Sequence, residues 1–107
     1  MANFGWQEAE GRIRKAAQRA MEDVGYILAS RRLHLNKTQQ EIADAATLNM
    51  GNGVVAQAEI SHLEDGNVVG VFKNQGYTAI DALLEALDWR GDRAYVRHML
   101  HEFARIV

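Results

Sequence analysis

Apolar residues recur at three- and four-residue intervals through much of the chain, and this spacing favours a helical fold. The longest such stretch runs from about Gln7 to His34. Its apolar positions fall on one face of a helix: Ile13, Ala17, Ala20, Val24, Ile27 and Leu28. An α-helix brings residues at this spacing to one side, whereas a strand would need alternation. The composition agrees, because β-branched and aromatic residues are few beside Ala, Leu, Glu, Arg and Gln.

Glycine and polar residues mark where the first helices begin and end. The chain contains no proline and 9 glycines, so glycine has to supply many of the breaks. Gly25 inside the first stretch predicts a bend or a break into two helices. Trp6 is expected to pack the start of that stretch against the core. Thr38 with Glu41 has the capping-box spacing and predicts a second helix, roughly Gln39 to Leu48.

The middle of the chain contains a third helix and a segment without a clear pattern. The third helix is predicted to begin at Val55 or Ala56 and to end at Glu64. Gly66 then stands where a left-handed residue commonly ends a helix. The segment 67–76 combines β-forming residues with two glycines and is predicted to be an irregular loop with some extended backbone.

Two further helices complete the prediction. Thr78 with Asp81 is expected to cap a helix from Ala79 to Leu87, and Asp92 is expected to open a final helix. The apolar side chains expected to form the core of the later helices are Ile42, Ala43, Ala46, Ile60, Leu63, Ile80, Leu83, Leu84, Leu87, Tyr95, Val96, Met99, Leu100, Phe103 and Ile106. We therefore predict an all-α, compact domain of five to six helices over residues 1–107.

The composition excludes several classes of protein. With no cysteine, the chain has no disulfide, thiol nucleophile or cysteine-ligated metal. No apolar run approaches the roughly 18–20 residues that span a bilayer. The start, Met1 to Glu10, lacks the basic and apolar blocks of a secretory signal. We expect a cytoplasmic chain without a membrane partner.

Charge is distributed unevenly although the net charge is only −2. From Arg12 to Lys37 there are seven basic residues against two acidic ones. From Thr38 to Phe72 there are five acidic residues and no Lys or Arg. A basic surface is therefore expected only from the first third of the chain.

Four short segments follow one another in an order that is typical of one protein family. They are Leu28-Ala-Ser-Arg-Arg32, Thr38-Gln-Gln-Glu-Ile-Ala43, Val55-Ala-Gln-Ala-Glu-Ile-Ser-His-Leu-Glu-Asp-Gly66 and Leu83-Leu-Glu-Ala-Leu87. Together they resemble the phage-repressor helix-turn-helix family (lambda-repressor-like, xenobiotic-response-element type). The resemblance covers residues 25–89 and leaves 6–24 and 90–107 as helical extensions. Insertions at 49–53 and 67–76, on either side of the third helix, depart from the family spacing.

The resemblance implies a transcriptional regulator that binds double-stranded DNA in a sequence-specific way, as a dimeric repressor on a palindromic operator. Gln57 corresponds to the family position that commonly reads adenine, since its amide donates and accepts at once. The residues implied to face the bases are Gln57, Ala58, Glu59, Ser61 and His62. Those implied to contact phosphates are Arg31, Arg32, Lys37, Thr38 and Gln39. The amphipathic terminal helices are expected to form a homodimer.

The sequence also bears on two other classes of function. A protein-interaction module of the antitoxin or adaptor type could use the same scaffold, with the acidic third helix binding a protein partner. An enzyme is not expected. His98 and His101 with Glu102 nearby could form a metal pair, but a further fixed ligand is lacking, so we predict no metal and no cofactor. The segment 51–53 lacks the downstream Lys-Ser/Thr of a phosphate loop.

Overall fold

The computed structural model describes residues 2–106, with the side chains of residues 5–102, and the fold over this range is all-α. Six helices follow one another within the described residues: α1 Ala2–His34, α2 Gln39–Met50, α3 Gln57–Glu64, α4 Val71–Asn74, α5 Tyr77–Ala86 and α6 Arg93–Ile106. This confirms the predicted fold class. None of these helices combines the length and the apolar character needed to cross a membrane.

The helices surround one apolar core, to which α5 contributes the largest number of buried hydrophobic residues. The predicted core residues of α2, α3 and α5 are buried, and so is Leu100 of α6. Val96 and Met99 are partly buried against the same core, whereas Tyr95 is exposed. The side chains of Phe103 and Ile106, predicted to join them, lie outside the described residues. Burial of this set from several helices supplies the main driving force for folding.

Helix α1 passes through Gly25 without a break, so the predicted division into two helices is wrong. Gly25 is instead the point where α1 meets the end of α3. A Cβ atom built on Gly25 would lie 2.6 Å from the carbonyl oxygens of both Leu63 and Glu64. The glycine is needed for a close approach between two helices. Trp6 also differs from its prediction, because it is 67% exposed and does not pack against the core.

Replacing Gly25 by alanine is expected to destabilise the fold by about 1–3 kcal/mol, because the added methyl group collides with backbone atoms that cannot rotate away. Gly11 in the same helix is the matched control, since a Cβ there meets nothing within 4 Å. Gly11→Ala is expected to stabilise by up to about 1 kcal/mol through helix propensity. Urea unfolding of both variants checks this, and equal midpoints would contradict the role given to Gly25.

The predicted helix signals are confirmed at three ends. The Thr38 hydroxyl accepts from Glu41 N–H at 3.1 Å, and the Glu41 carboxylate accepts from Thr38 N–H at 3.0 Å. Gly66 adopts a φ of +90° after α3, where its N–H donates to Leu63 O. Asp92 caps α6 by accepting from Tyr95 N–H at 3.0 Å.

The cap predicted for the fifth helix is wrong. Thr78 and Asp81 do not open it, because α5 already begins at Tyr77 and its N-cap is Gly76, with no side-chain hydrogen bond. Gly76 has a φ of +52°, and this left-handed turn lets α5 start directly after the preceding helix. The helix ends at Ala86, with Leu87 as its buried cap residue.

The segment 67–76 contains helix α4 and is not the irregular loop that was predicted. Val71 and Phe72 of α4 are buried in the core. Gly70, with a φ of +59°, forms the turn that precedes them. The insertion at 49–53 is partly helical too, since α2 continues to Met50 before ending at Gly51. Both insertions therefore extend the helical structure around α3.

Candidate nucleic-acid interface

Helices α2 and α3, which residues 51–56 connect, are packed against each other through apolar side chains. Ile42 and Ala43 of α2 and Ile60 of α3 belong to the same buried cluster. The connecting loop is tied to α2 by Thr47, whose hydroxyl oxygen accepts from Val55 N–H at 2.9 Å. The same hydroxyl group donates to the carbonyl oxygen of Ala43 at 2.9 Å. The inserted residues are therefore anchored, and α3 has a defined position relative to α2.

A chain of polar side chains connects α1, α2 and α3 beside this turn. Arg32 of α1 donates to Glu64 of α3 through Nε at 2.7 Å and through Nη2 at 3.0 Å. Gln39 at the start of α2 donates to the same carboxylate at 2.9 Å. Gln57 at the start of α3 in turn donates to Gln39 Oε1 at 2.5 Å. The two predicted DNA-contacting glutamines are thus brought together and held by an ion pair behind them.

The ion pair between Arg32 and Glu64 is largely shielded from solvent. The Arg32 side chain is 13% exposed and that of Glu64 is 10% exposed. Hydrogen bonding to Glu64 raises the pKa of Arg32 above its usual value. A third donor, Arg32 Nη1, binds the carbonyl oxygen of Lys37 at 2.9 Å and so fixes the turn between α1 and α2. The structure gives Arg32 a positioning role within the chain, in contrast to the predicted phosphate contact.

The outer glutamine keeps the groups that a base contact requires. A primary amide has two N–H donors and a carbonyl oxygen that accepts. Gln57 uses one N–H on Gln39 and retains the other N–H together with Oε1. Gln39 uses Oε1 and one N–H internally and retains its second N–H. One N–H and Oε1 of Gln57, together with one N–H of Gln39, therefore remain available at the start of α3.

The N-terminus of α2 lies beside these glutamines at the edge of an open depression. The depression is lined by Arg32, Leu33, Asn36, Lys37, Thr38, Gln39, Gln40 and Gln57. Thr38 satisfies the N–H of Glu41, and helix geometry leaves the N–H groups of Gln39 and Gln40 without an intrahelical acceptor. Lys37 is half-exposed at the rim, with Nζ 3.8 Å from the Glu41 carboxylate. Hydrogen bonds from Thr38 lower the pKa of Glu41, so Lys37 faces a charged partner.

Arg31 lies away from this depression and holds the end of α5. Its Nε donates to Leu87 O at 2.9 Å, and Nη2 donates to Asp88 O at 2.8 Å. The Asp88 carboxylate is 3.6 Å from Nη2. Arg31 thereby satisfies carbonyl groups that a helix end leaves free. Among the three cations predicted to bind phosphates, Arg31 and Arg32 are engaged within the chain. Lys37 is the one of the three that lies beside the glutamines with an exposed side chain.

Among the residues predicted to face the bases, Glu59 has a different role. Its Oε1 accepts from Ala56 N–H at 2.9 Å, which caps α3. Its Oε2 accepts from the N–H of Val71 in α4. Because both oxygens are engaged by backbone groups, Glu59 joins the start of α3 to α4 and is not directed outward as predicted. Its spacing from Ala56 equals that of Glu41 from Thr38, so a capping role was readable from the sequence.

The other members of the predicted base-facing set lie on the outer side of α3. Ala58 and His62 are exposed, and Ser61 is half-buried. His62 borders a second depression that also includes Lys73 of α4, an exposed cation. The outer face of α3 thus presents a small residue, a hydroxyl and an imidazole, with Gln57 at its beginning. These are groups that can contact base edges or a protein surface.

His98 and His101, the two histidines considered as a metal-binding pair, have different surroundings. The His101 ring stacks on Tyr77, with 4.3 Å between ring centroids, and Arg97 lies over the same Tyr77 ring at 4.4 Å. His98 is exposed. Among the side chains of residues 5–102, no group of three His, Asp or Glu is arranged to hold a metal ion.

Comparisons of the chain with protein-family models, with curated proteins and with solved structures each find no match.

Proposed function

We propose that this chain is a sequence-specific, double-stranded-DNA-binding regulator of transcription that acts as a homodimeric repressor. The observation that carries the proposal is the hydrogen bond between Gln57 and Gln39 across the helix-turn-helix. It joins a side chain suited to reading a base to one suited to binding a phosphate. Phosphate contacts fix the register of a protein on DNA, while contacts to base edges specify sequence.

Gln57 is the base-reading residue in this proposal. Its free Oε1 accepts from the N6 amino group of adenine while its free N–H donates to N7, the paired contact that distinguishes adenine in the major groove. The bond to Gln39 holds the amide in one orientation before DNA arrives. Ordering this side chain beforehand lowers the entropy cost of binding. Ala58, Ser61 and His62 continue the proposed contact surface along α3.

Gln39 and the start of α2 bind the neighbouring phosphate. The second N–H of Gln39 and the free backbone N–H groups of the first turn of α2 belong to residues that line one depression, and helix N-termini favour anions. Lys37 adds a positive charge at the rim of the depression. Thr38 acts indirectly, because its hydroxyl is used to cap α2.

The internal use of Arg31 and Arg32 has a consequence for affinity. Each phosphate that a protein neutralises adds about 0.9 to the slope of log affinity against log salt. With Lys37 as the one predicted phosphate-binding cation left at the turn, a single protomer is expected to bind weakly and with a shallow salt dependence. Two protomers on a palindromic site would double the contacts, which is why we include the homodimer in the proposal.

A protein-interaction module is the second candidate, and the distribution of charge around α2 and α3 favours it. The segment from Thr38 to Phe72 contains no Lys or Arg, and its exposed acidic residues are Glu41, Asp44 and Asp65. Two of the neighbouring arginines are engaged within the chain. Such a surface is suited to a basic protein partner. A module of this kind would show no enrichment of any DNA sequence.

Selection from a pool of random duplexes tests the proposal directly. We expect an enriched motif with adenine at one position of each half-site, in two inverted copies. Selection that returns no motif at low salt would contradict DNA reading and would leave the protein-interaction module as the function.

Replacing Gln57 by alanine is expected to cost about 1–3 kcal/mol of discrimination at one base pair per half-site, because the paired contact to adenine is lost. Competition binding with the adenine pair exchanged for each other pair measures this. Gln40→Ala is the matched control: Gln40 is an exposed glutamine of α2 whose amide donates to Asp44 at 2.8 Å. If both variants keep the same base preference, Gln57 does not read a base.

A further inference from the structure

One side of α1 runs along the end of α3 and continues beyond it. Gly25 is the closest contact, against the backbone of α3. One turn earlier in α1, Glu22 lies against the turn that follows α3: a Cβ atom built on Gly66 would be 3.0 Å from the Cα atom of Glu22. Another turn earlier, Gln18 lines the second depression together with Lys73 of α4. This side of α1 therefore leads from α3 to the insertion that contains α4.

The next turn on this side of α1 is basic. Arg14 and Lys15 precede Gln18 by four and three positions, so helix geometry places them beside it. Both are exposed, and the ion pair of Arg14 is a pairing within α1 at 3.4 Å. The ion pairs among the described side chains include neither Lys15 nor Lys73. From Gly11 to Met21 the chain has four basic residues and no acidic one.

Lys73 supplies a third cation from a different helix. It is exposed on α4 and lines the second depression. Two acidic residues, Glu22 and Asp65, are exposed beside the end of α3. An anion is repelled at those two residues and is attracted farther out, at the three cations. We call Arg14, Lys15 and Lys73 the flanking surface.

The flanking surface and the proposed phosphate site at the start of α2 lie at opposite ends of α3. Lys37 and Gln39 line the depression beside Gln57, the first residue of α3. The flanking surface follows the last turn of α3. The 8 residues of α3 span about 12 Å. The major groove is also about 12 Å wide, with a phosphate backbone on each side. A helix of this length that crosses the groove therefore has one end near each backbone.

We propose that the flanking surface of Arg14, Lys15 and Lys73 binds phosphates of double-stranded DNA on the side of the major groove opposite to the start of α2. The inference deepens the proposed function and rests on it, because it takes α3 as the helix in the groove. It supplies phosphate contacts that the two arginines engaged within the chain do not make. A protomer then has a steeper salt dependence than Lys37 alone provides.

Continuity with α3 favours double-stranded DNA over an acidic protein as the partner. His62 belongs to the outer side of α3 that is proposed to face the bases, and it also lines the second depression. A duplex that covers α3 therefore reaches the depression and the cations around it. Because a duplex carries one negative charge for about every 1.7 Å of its axis, the cations of α1 and α4 meet separate phosphates.

The salt dependence of DNA binding measures the contribution of the flanking surface. Arg14→Gln with Lys15→Gln is expected to flatten the slope of log affinity against log salt by about 1.8 per protomer, since each phosphate contact contributes about 0.9. Arg90→Gln with Arg93→Gln is the matched control. It removes the same charge from exposed positions where α5 leads into α6, a segment that Arg31 contacts from another side of α1. The control is expected to keep the wild-type slope, and both double variants are expected to melt with the wild type because all four side chains are exposed.

Ethylation of single phosphates in the selected duplex locates the contacts. Binding of the wild type is expected to be blocked by ethylation on both backbones that border the motif. In Arg14→Gln with Lys15→Gln, the blocks on the side away from the adenine are expected to disappear, while those beside the adenine remain. Lys37→Gln is the complementary control and is expected to weaken the blocks beside the adenine. The same pattern of blocks in the wild type and in the double variant overturns the proposal.

The outcomes separate this inference from the proposed function. A flatter slope in Arg14→Gln with Lys15→Gln, together with an unchanged preference for adenine, supports the flanking surface. An unchanged slope overturns it, while a lost preference in Gln57→Ala still supports the proposed function. If selection returns no motif but the double variant flattens the slope on arbitrary duplexes, the proposed function is overturned and the flanking surface is retained as a site for duplex phosphates. A wild-type chain that binds no duplex at low salt overturns both.

Discussion

Glu64→Ala is expected to lower the free energy of unfolding by about 3 kcal/mol, the lower end of the range for breaking a buried ion pair. The variant leaves the Arg32 guanidinium shielded from water and without its carboxylate. It also removes the acceptor of Gln39, so two groups lose their partner at once. We use the lower end of the range because both side chains retain some solvent contact.

The control for this prediction is an ion pair on the surface of the same protein. Glu10 and Arg14 lie four positions apart on α1, and both are well exposed. Glu10→Ala is expected to cost at most about 0.5 kcal/mol, as exposed helix pairs do. Urea unfolding of the two variants measures the difference. Equal losses would show that the pair between Arg32 and Glu64 is not effectively buried.

A double replacement separates charge burial from packing. Arg32→Met with Glu64→Met fills similar space without a charge, and such exchanges of buried ion pairs are often neutral for stability. We expect the double variant to recover most of the unfolding free energy that Glu64→Ala loses. Gln39 still lacks its acceptor in the double variant, because Glu64 is absent. If Gln39 orients Gln57, the double variant is stable but has a weaker preference for adenine. Full preference in the double variant would exclude the ion pair as a positioning element.

Features set by neighbours in the sequence were predictable. The capping box of Thr38 and Glu41 depends on residues three positions apart, and the cap at Asp92 depends on the turn that follows it. The core faces of α2, α3 and α5 follow from helical spacing, which is also local. These features gave the all-α class and the order of the five longer helices correctly.

Features set by contacts between distant residues were not predictable in the same way. Glycine lowers helix propensity, so the sequence predicts a bend or a break at Gly25. In the structure, Gly25 instead allows α1 to approach the backbone of α3, which lies far along the sequence. Arg32 was assigned to phosphate because its charge was visible and its partner Glu64 was not. A sequence shows that a side chain is charged, but it does not show which group neutralises that charge in the folded protein.

Helix α4 was missed for a different reason. It has only four residues, and its Val71 and Phe72 are β-forming types between two glycines. Its first N–H is held by Glu59 from α3, and its apolar side chains are drawn into the core. Tertiary contacts thus determine the conformation of a segment whose local preference is different.

Phe72→Ala is therefore expected to have the largest effect on stability of the changes considered, a loss of about 3–5 kcal/mol. Phe72 is 2% exposed within the core cluster. A methyl group in place of the ring leaves a cavity that the surrounding helices can fill only in part, and the lost apolar burial adds to the cost. An irregular surface loop, as the sequence indicated, would lose almost nothing from the same change.

Val69→Ala is the control within the same insertion, because Val69 lies at the surface and outside the core cluster. We expect it to change the unfolding free energy by less than about 0.5 kcal/mol, as surface substitutions do. Thermal and urea unfolding of both variants distinguish a core element from a loop. Because Glu59 links α4 to the start of α3, loosening α4 in Phe72→Ala is also expected to raise amide hydrogen exchange at Ala56, whose N–H the Glu59 carboxylate holds. Unchanged exchange at Ala56 in a destabilised Phe72→Ala would mean that the insertion supports the core but not the proposed recognition helix.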